Sequence, residues 1–97
     1  METNETPASR RSSTVLVLAG DLNMSSIASV REQLESVEGP CEIDLTGVGF
    51  IDSVAMAELL RLARRLGPRA VTLRGASNRF QRVLEMVGLQ QIFTIAA

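Results

Sequence analysis

The spacing of apolar and polar positions divides the chain into alternating strands and helices. Val15-Leu-Val-Leu-Ala19 is a short apolar run rich in β-branched residues, bounded by Ser13-Thr14 and Gly20-Asp21, and predicts a buried strand. From Ser26 the period lengthens. Ile27, Val30, Leu34 and Val37 make one stripe of a helix, with Arg31, Glu32 and Glu35 facing outward. Ser25 or Ser26 is the expected N-cap, and Gly39-Pro40 the stop. Cys41-Glu-Ile-Asp-Leu45 alternates with period two, the mark of a strand covered on one face. Thr46-Gly47 reads as a turn, and Val48-Gly-Phe-Ile51 as a second short extended piece.

Asp52-Ser53 opens the strongest helical pattern. Its apolar side is Met56, Leu59, Leu60, Ala63 and Leu66, its solvated side Glu58, Arg61, Arg64 and Arg65, and Gly67-Pro68 ends it. Ala70-Val-Thr-Leu-Arg74 is another strand. After Gly75, Ser77-Asn78 starts a third helix in which Phe80, Val83, Leu84 and Val87 recur at helical spacing, and Gly88 stands where a left-handed C-terminal cap is expected. Gln91-Ile-Phe-Thr-Ile95 closes the chain as a strand. Strands separated by helices favour right-handed βαβ crossovers, so the expected class is α/β: four strands, largely parallel, with three helices packed on them.

Residues 1–13, rich in Thr, Ser, Glu and Arg, bury too little apolar area to offset their ordering entropy and read as a flexible tail. Residues 14–97 read as one domain. A chain of 97 residues suffices for a single core, since at this size about 64% of the unfolded surface can be buried.

What the composition lacks narrows the chemistry. The chain has no His, Lys, Trp or Tyr and a single Cys. Without His there is no Ser/His/Asp or Cys/His triad and no His-containing zinc site; without Lys there is no Walker A lysine and no Schiff base. Cys41 alone forms no internal disulfide and holds no structural metal; it reads as a buried small apolar residue, and the setting as reducing and cytosolic. Neither an enzyme nor a cofactor protein is expected. Ten basic and eleven acidic residues leave a net charge of −1, and the three aromatics are all Phe. Both features argue against nucleic acid as a partner. No apolar run approaches the length of a membrane span, and the first segment is not a signal peptide.

In parallel α/β folds reactive and binding groups collect where strands lead into helices. Three such corners are expected: Gly20-Asp-Leu-Asn23, Asp52-Ser53 and Gly75-Ala-Ser-Asn78. Ser53 falls at the expected N-cap of the best-formed helix, where unpaired amides and the helix dipole favour an anion. A phosphate there would add about −1.5 to −2 charge and still be partly stabilised by those amides. Plain capping is the commoner use of Ser at such a place. Asp21 and Asp52 read either as a carboxylate pair for acid/base work or Mg²⁺, or as turn and cap residues, the latter being the commoner use of Asp. The set Arg61, Arg64, Arg65 and Arg69, interspersed with Glu58, reads as a solvated face.

Leu45-Thr-Gly-Val-Gly-Phe-Ile-Asp-Ser-Val-Ala-Met resembles the STAS-domain signature, an apolar strand ending in Asp-Ser/Thr and continuing into a helix. Gly20-Asp-Leu-Asn23 looks like that family's Gly-Glu-Leu-Asp turn, and Leu73 through Leu89 resembles its closing segment. The resemblance covers about residues 15–95 and implies a single domain with a four- to five-stranded, mostly parallel or mixed sheet and three or four helices. It is nearest to the anti-sigma factor antagonists, which implies a partner switch in a bacterial cytoplasm. The antagonist would bind an ATP-using serine-kinase anti-sigma factor, phosphorylation of the serine matching Ser53 would break the complex, and a serine phosphatase would restore it. The partner face implied comprises Asp21, Asn23, Asp52, Ser53, Val54, Met56 and Ser77.

Departures from the family pattern are Asn23 in place of the turn aspartate, Val54 and Ala55 after the serine, and a weak first strand and last helix. The last leaves edges open for weak self-association. An alternative of another class is a short STAS accessory subunit docked on the ATPase of a lipid-transport ABC system, through the helix that begins at Ser53. Direct nucleotide binding at the Asp21/Ser53/Ser77 corner lacks a Gly-rich phosphate loop and ranks below both.

Overall fold

The apolar run at Val15 seeds a longer strand, β1 (Thr14–Leu22). The chain continues through α1 (Ile27–Glu35), β2 (Cys41–Ile51), α2 (Ser53–Leu66), β3 (Val71–Arg74), α3 (Asn78–Met86), a 3-10 turn (Leu89–Gln91) and β4 (Thr94–Ala96). This computed structural model describes residues 14–96; the tail assigned to residues 1–13 lies outside the described residues. The strands lie in the order β1-β2-β3-β4, every neighbouring pair parallel. That is the expected α/β plan, with the sheet wholly parallel among the described residues.

The register fixes which side chains share a face. Leu16, Ile43, Leu73 and Ile95 form one row across the sheet. Around it Leu18, Leu22, Leu45 and Val71 join residues from all three helices in one buried cluster. Val30 and Leu34 enter from α1, Leu59 and Ala63 from α2, Phe80 and Leu84 from α3. Each fully buried aliphatic or aromatic side chain contributes about 1.5–3 kcal/mol, so this one-sided core carries the fold. Parallel sheets are ordinarily covered on both faces. Here the opposite rows, Val15-Glu42-Thr72-Thr94 and Val17-Asp44-Arg74-Ala96, stay exposed or half-buried. Arg74 Nε donates to Glu42 Oε2 at 2.7 Å across this face, and the carboxylate raises the guanidinium pKa further.

Several elements differ from the reading of the sequence. The turn expected at Thr46-Gly47 is absent, because β2 runs unbroken past it as a bulged strand. Val17 pairs with Asp44 but Ala19 with Gly47, and Gly20 pairs with Val48 but Asp21 with Phe50, so β2 carries one extra residue at each of two places. The turn chemistry is used locally instead: Thr46 N donates to Asp44 Oδ1 at 2.9 Å, which holds the Asp44 carboxyl below its ordinary range. Gly75, at φ 73°, passes so close to this bulge that a Cβ there would be driven into Thr46 Oγ1 and come within 3.1 Å of its Cα.

Helix α1 stops at Glu35, before Gly39-Pro40, and Val37 is buried from the loop beyond it. Arg65 Nη2 donates to Leu34 O at 2.9 Å, adding a second donor to a carbonyl that already accepts from Val37 N at 3.2 Å at the helix end. On α2 the buried stripe is rotated: Ala55 and Leu62 are buried, whereas Met56 and Leu60 are half-buried. The rotation carries Glu58 inward to 7% exposure, against the expectation of a solvated position. It meets Arg31 Nη2 of α1 at 3.1 Å and Arg61 Nη2 at 3.8 Å. A buried carboxylate is tolerated because two guanidiniums compensate it. Val87 is exposed at the C-cap of α3, Gly88 takes the left-handed cap at φ 77°, and the closing strand begins only at Thr94, Gln91 lying in the 3-10 turn. Cys41 is buried, and burial pushes its thiol pKa up.

Candidate functional site

The carboxyl ends of β1 and β2 bring two of the three predicted corners together. Asp52 N donates to Leu22 O at 3.0 Å, so the strand ends are held side by side. The N-cap of α2 is Asp52 and not Ser53: Asp52 Oδ1 accepts from Ala55 N at 2.8 Å, two residues deeper than Ser53 in the first turn. Its second oxygen, Oδ2, accepts from Met24 N at 3.1 Å. One carboxylate thereby caps α2 and anchors the β1–α1 loop, and both of its oxygens are engaged by local structure. That is the turn and cap duty expected as the commoner use of Asp at such a place.

Asn23 organises the same loop. Its Oδ1 accepts from Ser25 N at 2.8 Å and from Ser26 N at 3.2 Å, while its backbone N–H donates to Ser26 Oγ at 3.1 Å. Ser26 is the N-cap residue of α1 by position, but its hydroxyl makes no capping bond to the helix and donates instead to Asp21 O at 2.9 Å. Asp21 is exposed, and its Oδ1 lies where a Cβ on Gly49 would meet it at 3.3 Å. The absence of a side chain at Gly49 lets the carboxylate lie against β2.

Ser53 is the first residue of α2 and is exposed. Its hydroxyl takes no hydrogen bond among the described residues, since the capping role has passed to Asp52. Val54 is 37% exposed beside it. Ser77 stands apart from this mouth: its Oγ accepts from Phe80 N at 3.1 Å and caps α3. It reaches the same region only across a cavity of about 150 Å³.

That cavity lies between the bulged end of β2, the first turn of α2 and α3. Val48, Ile51, Met56, Phe80 and Val83 give it an apolar wall, and the exposed Ser77, Arg79 and Phe50 stand at its opening. Met56, three residues from Ser53 on the surface of α2, belongs to both the mouth and the cavity. The sequence reading missed Met24 and Phe50, which are 73% and 53% exposed, along with the cavity itself. Two apolar residues beside Gly49 and Asn23 were the available signal.

The family model of the Mlab STAS domain matches residues 6–95 of the chain. The chain belongs to the STAS domain family. No curated protein matches it. Among solved structures, this STAS domain is similar to the crystal structure of a sulfate transporter family protein from Wolinella succinogenes. The two share 18% sequence identity over 89% of this chain and 84% of that one, with a TM-score of 0.55. At that identity the likeness is one of fold. Among the described residues no helix of the STAS domain is long and apolar enough to cross a membrane.

Proposed function

We propose that this STAS domain is a non-enzymatic partner-switching protein, an anti-sigma factor antagonist that binds a serine-kinase anti-sigma factor through the α2 mouth and is released by phosphorylation at Ser53. The observation that carries the reading is the division of labour at the helix start: Asp52 does the capping, and the Ser53 hydroxyl is left exposed and without a hydrogen bond among the described residues. A hydroxyl without a structural task can be modified without unfolding the helix. A phosphate there would add about −1.5 to −2 charge beside Asp52 and Asp21, in a surface a partner must desolvate. The exposed face offers neither His nor Lys, and the chemistry of the switch belongs to the kinase and to a serine phosphatase.

A second reading is favoured by the description of the matching family model and by the apolar side chains of Met24, Phe50 and Val54 at the mouth. Apolar area of that kind suits a lasting interface, here that of an accessory subunit docked on the ATPase of a lipid-transport ABC system. One experiment separates the two. The chain is co-purified with its gene-neighbour kinase or ATPase, ATP is added, and the modified residue is mapped by mass spectrometry. Modification at Ser53 with loss of the complex supports the switch; a complex that persists in ATP with Ser53 unmodified supports the accessory subunit and refutes the switch.

A further inference from the structure

We infer that the cavity between β2, α2 and α3 is the receptor for one bulky apolar side chain of the partner, with an acidic residue next to it in the partner's sequence that meets Arg79. This inference rests on reading the α2 mouth as a docking face, and names the chemistry that face recognises.

Size selects the occupant. Pockets that hold small-molecule ligands run from about 300 to 1,000 Å³, whereas this one measures about 150 Å³. A dry apolar cavity of about that size holds a single benzene ring. One Phe or Leu side chain fills it. Binding energy at protein interfaces concentrates in such anchors, an aromatic or aliphatic group in a desolvated pocket ringed by contacts that keep water out. The ring is present here: Phe50 is 53% exposed at the cavity, and Val54 is 37% exposed on the neighbouring turn of α2.

Charge selects the residue beside the anchor. Arg79 is exposed at the opening and forms no ion pair among the described residues, and Arg82 lies one helical turn farther along α3. On the other side of the mouth the carboxylate of Asp52 is already engaged by Met24 N and Ala55 N. The exposed Asp21 carboxylate lies against Gly49 on the β1 side, so the charge on the α3 side of the opening is the positive one, and a partner carboxylate seated on that side is its complement. Met56 lies on the cavity wall three residues from Ser53, so an anchor seated there brings the partner backbone over the serine.

The test uses blocked dipeptides in place of the unidentified partner, with the full chain isotope-labelled at its methyl groups. Acetyl-Phe-Glu-amide, acetyl-Phe-Arg-amide and acetyl-Ala-Glu-amide are titrated while methyl NMR shifts are recorded. The expected result is saturable shifts at Val48, Ile51, Met56 and Val83 with the Phe-Glu peptide and none with Ala-Glu. Phe-Arg should bind about two- to fivefold more weakly, the scale of one exposed ion pair. Val83→Trp fills the cavity and should abolish the shifts, with unmoved Ile43 and Leu73 methyls reporting an intact core. Arg79→Glu alters only an exposed side chain and should reverse the preference between Phe-Glu and Phe-Arg. Equal shifts with Ala-Glu, shifts confined to residues outside the cavity, or no saturable shift would overturn the inference, as would an unchanged preference in Arg79→Glu. None of these measurements involves the kinase, the ATPase or Ser53, so the docking pocket and the partner switch can fail separately.

Discussion

Replacing Asp52 separates two jobs that one carboxylate performs. Its Oδ1 caps α2 through Ala55 N and its Oδ2 holds Met24 N of the β1–α1 loop, at 2.8 and 3.1 Å. Asp52→Asn keeps an acceptor for the cap but turns an amide donor toward the Met24 N–H. That loses the loop tie, worth about 1 kcal/mol as a net hydrogen bond, and the charge near the helix N-terminus, worth about 0.5 kcal/mol. Asp52→Ala loses the cap as well, about 1 kcal/mol more. The expected destabilisations are then about 1.5 kcal/mol for Asn and about 2.5 kcal/mol for Ala. For a domain of this size each kcal/mol lowers Tm by about 4–8 °C. Urea unfolding gives the energies, and hydrogen exchange assigns them: Asp52→Asn should speed exchange at Met24 while Ala55 stays protected, and Asp52→Ala should expose both. Equal losses for the two variants, or a Met24 amide indifferent to both, would refute the dual role.

Glu58→Ala should destabilise the fold by about 1–3 kcal/mol by leaving Arg31 without its buried partner, while Glu58→Leu should recover part of that loss in the same urea titration; a loss below about 0.5 kcal/mol would return Glu58 to the surface class. Cys41 titrates with a pKa raised by burial above its ordinary 9.0. The unfolded thiol ionises first as pH rises, so the folded state loses stability from about pH 9 upward toward the raised value and is unaffected below it. Thermal melts between pH 7 and 10.5 check the direction against Cys41→Ala, and a thiol reagent at pH 8 should label the wild type only as fast as the core opens. Ser53→Ala should keep partner affinity, and Ser53→Asp should lower it about tenfold or more through like charge beside Asp52; equal affinities by calorimetry would count against the charge switch.

The periodic parts of the chain were legible because a single core sits on one face of the sheet. Ile27, Val30 and Leu34, like Phe80 and Leu84, recur at helical spacing because each helix has one side to bury. What stayed hidden was set by partners distant in sequence. Glu58 resembles a surface residue until α1 supplies Arg31. Thr46-Gly47 has the composition of a turn, and only pairing with β1 makes it a bulge. At the site, the serine of Asp-Ser was visible from sequence, but which of the two caps the helix depended on Met24 closing over Asp52 from the neighbouring loop. The cavity was invisible for the same reason, since its walls come from β2, α2 and α3.

The doubled bulge in β2 bears on how this chain can change over evolutionary time. Inward positions along the strand run Cys41, Ile43 and Leu45, then step by three to Val48, opposite Gly20, and to Ile51, opposite Leu22. Deleting one residue at either bulge would return the strand to plain two-residue alternation and leave Val48 opposite Gly20 and Ile51 opposite Leu22, so the inward set survives while the local bend is lost. The bulges therefore act as a reserve of length, whereas a deletion within the regular stretch 41–45 shifts the facing of the residues on one side of it. Deletions at the bulges should be tolerated more like those in the connections at 36–40 and 67–70 than like those at 41–45, and a deletion-scanning library should show that contrast directly.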